Sequence, residues 1–266
     1  MLDVNLFLLP LLGFIIGLFV SILGGGGGGL YAPLLILLFG IPTQTAVATS
    51  LASVLPTAVA GAFSHYREGN VDINTGVLLG IGGIIGTLLG VYIANLFDPN
   101  ILRKVLGIFT LIMIIPMMYS ALQRHKSLDK DEIKENGLKN LKNLTGPKRI
   151  IGSLFGIAGG IMAGLFGISG TPPVVAGLYS LGLPAIMVVG TTVFILIFNA
   201  PAGIFGYFFV GKLDIPLIIL LGSGAMIGAF IGPKLLKKLD PKKLEIIYAP
   251  LLIGIMLILG ISLVFT

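Results

Sequence analysis

Long apolar stretches separated by short polar breaks run through the whole chain, in two sets of five. Most stretches are about twenty residues long, but the second of each set has only about ten, half of what a bilayer-spanning helix needs. The pattern predicts an all-α polytopic membrane protein with about 8–10 membrane segments, some of them broken or re-entrant. The expected segments are roughly 4–23, 30–40, 44–64, 73–96, 101–120, 150–166, 172–182, 186–208, 215–236 and 244–264.

The composition supports a membrane location. Of the 266 residues, 56% are hydrophobic and only 11% are charged, whereas a soluble domain has about 25% charged residues. We therefore expect a multi-pass protein of the cell membrane, with the lipid bilayer as its surroundings. The net charge of +6 then concerns membrane orientation and gives no indication of a nucleic-acid partner. The chain has no cysteine, which excludes disulfides and thiolate metal sites, and no cofactor is predicted.

The chain is an internal duplication with an ungapped offset of 142 residues. The segment "GIPTQTAVATS" at Gly40 matches "GLPAIMVVGTT" at Gly182, and "GNVDI" at Gly69 matches "GKLDI" at Gly211. So many coincident glycines, prolines and aspartates without a gap indicate a repeat. The predicted organisation is a first repeat of membrane helices at 1–120, a polar linker at 121–149 and a second repeat at 150–266.

The distribution of lysine and arginine predicts how the two halves are oriented. Eight of these residues lie in 121–149, five in 234–243 and two in 97–104, and Arg67 and Lys212 complete the seventeen. Halves of the same orientation would place 10 on one side and 7 on the other, whereas inverted halves place 14 inside and 3 outside. The positive-inside rule favours the inverted arrangement. We therefore expect two inverted repeats, with both termini outside and the linker in the cytoplasm.

Glycine-rich breaks precede the short apolar segment of each half. The first break contains six consecutive glycines, Gly24 to Gly29, and its counterpart "FGISGT" contains Gly167 and Gly170. Glycine lets a ligand approach the backbone, and the N-terminus of a helix attracts anions. In transporters built from inverted repeats, such half-helix ends bind substrate near the membrane midplane. The alternative is that these glycines only allow close packing of helices, which suits the scattered Gly80, Gly82 and Gly86.

Neutral polar side chains are the other candidates for substrate binding, because no lysine or arginine occupies an obvious midplane position. Thr49–Ser50 and Thr191–Thr192 are repeat equivalents. A hydroxyl in a membrane helix can instead bond to a carbonyl one turn earlier. The predicted substrate-binding residues are Gly24, Gly25, Gly26, Gly27, Gly28, Gly29, Thr49, Ser50, Gly167, Ser169, Gly170, Thr171, Thr191, Thr192 and Asn199, with no catalytic residue and no metal ligand among them.

The segment "SILGGGGGGLYAPLLILLFGIPTQTAVATSLASVLPTAVAGAFSHYREGNVD", with its degenerate copy in the second half, resembles the sulfite exporter TauE/SafE family. The resemblance covers nearly the whole chain. It implies a secondary transporter that exports a small sulfur-containing anion such as sulfite, a sulfonate or sulfoacetate. A channel or facilitator with the same pore is the alternative, and the coupling ion and the oligomeric state stay open at this point.

Other functional classes fit the residues less well. "GISG" has the form of an intramembrane serine protease motif, but His125 lies in the linker, His65 lies at the end of a predicted helix, and no histidine follows Ser169. No histidine is therefore expected within reach as the general base that a nucleophilic serine needs. We therefore predict no enzyme activity. Proton coupling would have to use His65, a loop carboxylate or a protonated substrate. Asp72 and its repeat equivalent Asp214 are expected to cap the helices that follow them.

Overall fold

The computed structural model describes residues 8–23, 28–127, 146–167, 171–236 and 241–265, and within these ranges all regular secondary structure is α-helical. The ten helices of the described ranges are α1 (Leu8–Leu23), α2 (Gly28–Phe39), α3 (Thr43–Arg67), α4 (Ile73–Leu96), α5 (Pro99–Ser127), α6 (Gly146–Phe166), α7 (Thr171–Ser180), α8 (Ala185–Phe209), α9 (Ile215–Leu236) and α10 (Pro241–Phe265). Most bounds agree with the predicted segments to within a few residues. The main difference is at the linker, because α5 and α6 both extend into 121–149.

Aspartates at equivalent positions cap the long helices α4 and α9. Asp72 caps α4, since its Oδ1 accepts the backbone N–H groups of Asn74 at 3.1 Å and Thr75 at 3.3 Å. Asp214 accepts the N–H of Leu217 at 3.1 Å at the start of α9. The predicted capping roles of both aspartates are therefore confirmed.

Helices α3 and α8, which are repeat equivalents, pack against each other and run in opposite directions. A Cβ added at Gly61 of α3 would lie 3.0 Å from Cγ1 of Val193 of α8. Ten residues earlier in α3, Leu51 contacts Gly203, which is ten residues later in α8. These two pairs are themselves exchanged by the 142-residue offset. Each of the two contacts is therefore made by positions that are equivalent in the two halves.

Each half supplies a helix that packs tightly on a helix of the other half. Along the α4–α6 contact, a Cβ at Gly82 would lie 2.6 Å from the carbonyl oxygen of Ser153, and one at Gly86 would overlap the carbonyl of Ile157. The equivalent contact joins α9 to α1. There, a Cβ at Gly224 or Gly228 would overlap a backbone carbonyl oxygen of α1. Small residues let the two backbones touch. The close-packing interpretation is thus confirmed for Gly82 and Gly86, while Gly80 faces the ring of Phe198.

Helices α6 and α7 form a hairpin. A Cβ at Gly177 of α7 would lie 2.6 Å from Cβ of Phe155, and one at Gly152 of α6 would lie 3.3 Å from Cδ1 of Leu181, which follows α7. Later residues of α7 and of the turn after it thus contact earlier residues of α6, so the two helices are antiparallel. The tip of the hairpin is the break at Gly167.

The outer surface is suited to lipid, and the chain is a multi-pass membrane protein. Of the described helices, α3, α4 and Ile186–Phe209 of α8 are long and apolar enough to cross a membrane. Large apolar side chains point outward, including Phe205, which is 60% exposed. Five further helical stretches are apolar but shorter. The total number of crossings stays a prediction.

Candidate functional site

The break after α6 is packed against the first third of α3. Gly167 has φ of 65°, a conformation that L side chains rarely adopt. The hydroxyl of Ser50 donates a hydrogen bond to the carbonyl oxygen of Gly167 at 2.8 Å. A Cβ at Gly167 would lie 2.6 Å from the carbonyl oxygen of Val47. The structure therefore joins two predicted site residues that are 117 positions apart. Ser169 and Gly170 lie outside the described residues.

The N-termini of the two short helices differ in the backbone donors that they offer. Helix α7 begins at Thr171 with the segment "TPPVV", and its two prolines have no N–H to donate. Helix α2 begins at Gly28 with "GGLYAP", so its first four residues all have an N–H. The next two residues after Gly29, Leu30 and Tyr31, are buried. Of the predicted glycines, Gly24 to Gly27 lie outside the described residues.

The equivalent hydroxyls Ser50 and Thr192 lie at different levels along the α3–α8 pair. Val193 of α8 is opposite Gly61 of α3, and because the helices are antiparallel, Thr192 is at the level of the residue after Gly61. Ser50 is at the level of the residue before Leu51, which is opposite Gly203. The two positions are therefore twelve residues apart along α3, which is about 18 Å at 1.5 Å per residue. A small anion cannot contact both hydroxyls. Ser50 and Thr192 therefore cannot contribute to the same binding site.

The adjacent threonines also differ in their hydrogen bonds. The backbone N–H of Asp72 donates to Oγ1 of Thr191 at 3.0 Å, so this hydroxyl supports the turn between α3 and α4. The hydroxyls of Thr49 and Thr192 are buried, with no hydrogen-bond partner among the described residues. Thr191 is thus occupied in the turn, whereas Thr49 and Thr192 keep a free hydroxyl.

Asn199 is the most unusual polar residue of the described interior. Its side chain is fully buried, and neither Oδ1 nor Nδ2 has a hydrogen-bond partner in the described part of the chain. Oδ1 lies directly against Gly83 of α4, in the space that a Cβ there would occupy. One turn along α4, the hydroxyl of Thr87 is also buried and unpaired. Burying an unpaired amide costs about 1–3 kcal/mol by mutational data.

Thr87 is not among the polar residues that the repeat pattern singles out. Its repeat equivalent is Ala229, so a search for polar residues matched between the halves passes over it. The signal that was available is a threonine in the glycine-rich segment "GIGGIIGTLLG", where every other residue is apolar or glycine.

Charged side chains are nearly absent from the long apolar helices. Helices α4 and α8 have none, and the last residue of α3, Arg67, is the only lysine, arginine or acid of that helix. No group of three or more potential metal-ligating residues occurs in the described ranges. An anion in this interior would have to bind to backbone N–H groups, hydroxyls and the amide of Asn199.

The family model described as "Sulfite exporter TauE/SafE" matches residues 9–262. The chain is 32% identical over 256 residues to probable membrane transporter protein YdhB of Bacillus subtilis, covering 94% of this chain and 99% of that protein. It is 29% identical over 269 residues to a probable membrane transporter protein of Methanocaldococcus jannaschii, covering 94% of each chain. No solved structure matches the chain. The chain belongs to the sulfite exporter TauE/SafE family of membrane transporters.

Proposed function

We propose that the protein is a secondary transporter that exports a small sulfur oxyanion of the sulfite or sulfonate type. The observation that carries this proposal is the break at Gly167, which is packed against Ser50 in an interior whose long helices have almost no charged side chains. Backbone donors and hydroxyls at such a break can bind an oxyanion without a basic side chain. The name of the family supports sulfite as the substrate class.

The proposal includes inverted halves, each consisting of one re-entrant hairpin and three crossings. The opposite directions of the equivalent helices α3 and α8 support the inversion. The antiparallel packing of α7 on α6 supports a re-entrant hairpin. The equivalent hairpin of the first half would be α1 with α2. Six crossings then leave both termini outside and the linker 121–149 in the cytoplasm, in agreement with the excess of basic residues inside.

The transporter would have two anion sites, one at each break. The distance of about 18 Å between the levels of Ser50 and Thr192 supports two sites, because it is several times the size of a sulfur oxyanion. One site would be formed by Gly167 to Thr171 with Ser50, whose hydroxyl would have to turn from the Gly167 carbonyl to the anion. The other would be formed by Gly24 to Gly29 with Thr192. The anion would move between them along the α3–α8 pair.

Binding to the purified protein tests the proposal, with sulfite, methanesulfonate and sulfate as the ligands. We expect Gly167→Ala to weaken sulfite binding at least tenfold, because the new Cβ collides with the Val47 carbonyl and displaces the break. Gly211→Ala is the matched control. Gly211 also has a positive φ, 68°, but a Cβ there meets nothing within 4 Å. Both variants carry similar backbone strain, about 1–2 kcal/mol.

Two outcomes would contradict the proposal. If none of the three anions binds to the unmodified protein, the substrate class is wrong. If Gly167→Ala and Gly211→Ala bind sulfite equally well, the break is not a binding site. Sulfite flux into proteoliposomes, measured with and without an imposed proton gradient at a fixed hydrogen sulfite concentration, separates a coupled carrier from a channel. Flux through a channel then follows only the electrochemical gradient of the anion.

A further inference from the structure

We propose that Asn199 and Thr87 form a third, central binding position, and that this position selects the singly protonated form of the oxyanion. The inference rests on the proposed function and specifies which form of the substrate crosses the middle of the protein. Nothing else in the described interior combines a fully buried amide and a fully buried hydroxyl, both without partners, at one contact between two helices.

Asn199 lies at the midpoint of the α3–α8 pair. Val193 is opposite Gly61 and Gly203 is opposite Leu51, so the residue halfway between, Phe198, is opposite Pro56. Asn199 is the next residue of α8. It is therefore about as far from the level of Ser50 as from that of Thr192, and an anion that moves between the two breaks passes its level.

Thr87 lies between Asn199 and the break at Gly167. A Cβ at Gly203, one turn after Asn199, would lie 3.4 Å from Cγ2 of Thr87. On its other side, Thr87 packs against α6, where a Cβ at Gly160 would lie 2.7 Å from the backbone nitrogen of Thr87. Ser50, which is next to Leu51, and Thr87 thus lie at nearly the same level, about one turn of α8 nearer to the break than Asn199.

The chemistry of an amide indicates what it binds. Nδ2 donates two hydrogen bonds and Oδ1 accepts, so a partner that satisfies both ends needs an acceptor and a donor. Hydrogen sulfite offers both, because it has unprotonated oxygens and one acidic proton. A sulfonate and a sulfate dianion have only acceptors and would leave Oδ1 buried and unpaired. A monoanion is also easier to transfer than a dianion into an interior without cations.

Among the described residues, no titratable side chain of the helices that pack on α8 is placed to supply this proton. His65 lies at the level of Gly190, nine residues and about 13 Å along α8 from Asn199. The hydroxyl of Tyr207 donates to the carbonyl of Gly164 at 2.7 Å. The other titratable groups of the helices that pack on α8 are at helix ends or on the exposed surface: Tyr66 and Arg67 on α3, Asp72 and Tyr92 on α4, Lys148 and Arg149 in the first turn of α6, and Tyr179 on α7. The proton would therefore travel on the anion.

The test measures binding of sulfite and methanesulfonate to the purified protein at several pH values around neutrality, where sulfite changes protonation. We expect sulfite binding to follow the fraction of hydrogen sulfite, and methanesulfonate to bind at least tenfold more weakly with no such pH dependence. Asn199→Leu should remove the preference for hydrogen sulfite without lowering the unfolding temperature, since it replaces an unpaired amide by an apolar group of similar size. Thr87→Val should weaken hydrogen sulfite binding less, because one hydroxyl is lost.

Matched controls use polar groups that are already paired. Nδ2 of Asn95 donates a hydrogen bond to the carbonyl oxygen of Val91 at 2.8 Å. The hydroxyl of Thr110 donates a hydrogen bond to the carbonyl oxygen of Leu106 at 2.8 Å. Asn95→Leu and Thr110→Val should leave the preference unchanged. Equal binding of methanesulfonate and hydrogen sulfite by the unmodified protein would overturn the inference, and so would a preference that survives in Asn199→Leu. In both cases the proposed function stands if Gly167→Ala still loses binding, whereas absence of all anion binding refutes the proposed function itself.

Discussion

Replacing Gly86 by alanine tests whether the backbone contact between α4 and α6 holds the two halves together. A Cβ at Gly86 would overlap the carbonyl oxygen of Ile157 and lie 2.8 Å from its carbonyl carbon. An ordinary contact of a Cβ needs roughly 3.5 Å, so the helices must separate by about 1 Å or bend. Overpacking of this kind costs about 1–3 kcal/mol, and the separation also weakens the neighbouring contacts at Gly82 and Gly90.

The expected result is a loss of about 2 kcal/mol, even after the gain of up to about 1 kcal/mol that alanine brings over glycine in a helix. For a chain of this size, that loss corresponds to a fall of roughly 4–8 °C in Tm. Thermal unfolding of the detergent-solubilised protein measures it. Gly254→Ala in α10 is the control, because a Cβ there meets nothing within 4 Å, and its Tm should be unchanged or slightly raised. A Gly86→Ala variant with the Tm of the unmodified protein would refute the packing argument.

Three further predictions concern the orientation of the halves, one hydrogen bond and the role of His65. Glu68 and Val210 are exposed repeat equivalents in the α3–α4 and α8–α9 turns of a cysteine-free chain. Single cysteines at these two positions, Glu68→Cys and Val210→Cys, should be labelled from opposite sides of the membrane, and labelling from the same side would exclude inverted halves. Tyr207→Phe removes the bond to the Gly164 carbonyl and should lower the stability by about 1 kcal/mol in thermal unfolding, so an unchanged Tm would assign that bond no net contribution. His65→Gln should leave sulfite efflux from proteoliposomes and its pH dependence intact, because His65 is far from the central position; loss of the pH dependence would assign the histidine a role in proton transfer.

The positions of the helices could be predicted from the sequence because apolar length and glycine or proline breaks are local signals. The bounds of α4 at Ile73–Leu96 and of α9 at Ile215–Leu236 agree with the predicted 73–96 and 215–236. The linker was harder to delimit. Helix α5 continues as far as Ser127, beyond the last apolar residues of the predicted segment. Apolar length alone does not mark a helix end that lies in polar sequence.

The relative levels of the candidate site residues could not be read from the repeat. The offset pairs Ser50 with Thr192, which suggests one shared site, but antiparallel packing of α3 and α8 turns this sequence equivalence into a separation of about 18 Å. Likewise, Thr87 has no polar repeat equivalent, and its nearness to Asn199 depends on which face α4 presents to α8. Such information is contained in tertiary packing and not in periodicity.

The exchange of helices between the halves has a consequence for biosynthesis. The glycine-lined face of α4 is complete as soon as the first half leaves the ribosome, yet the helix that covers it, α6, lies beyond the linker. Until α6 is inserted, that face is exposed to lipid. The face of α1 that packs on α9 is likewise exposed until α9 is inserted. Neither half is therefore an independent folding unit. A nicked protein, expressed as two fragments separated within 128–145, should be recovered as a paired complex, whereas either fragment alone should be degraded by membrane quality-control proteases.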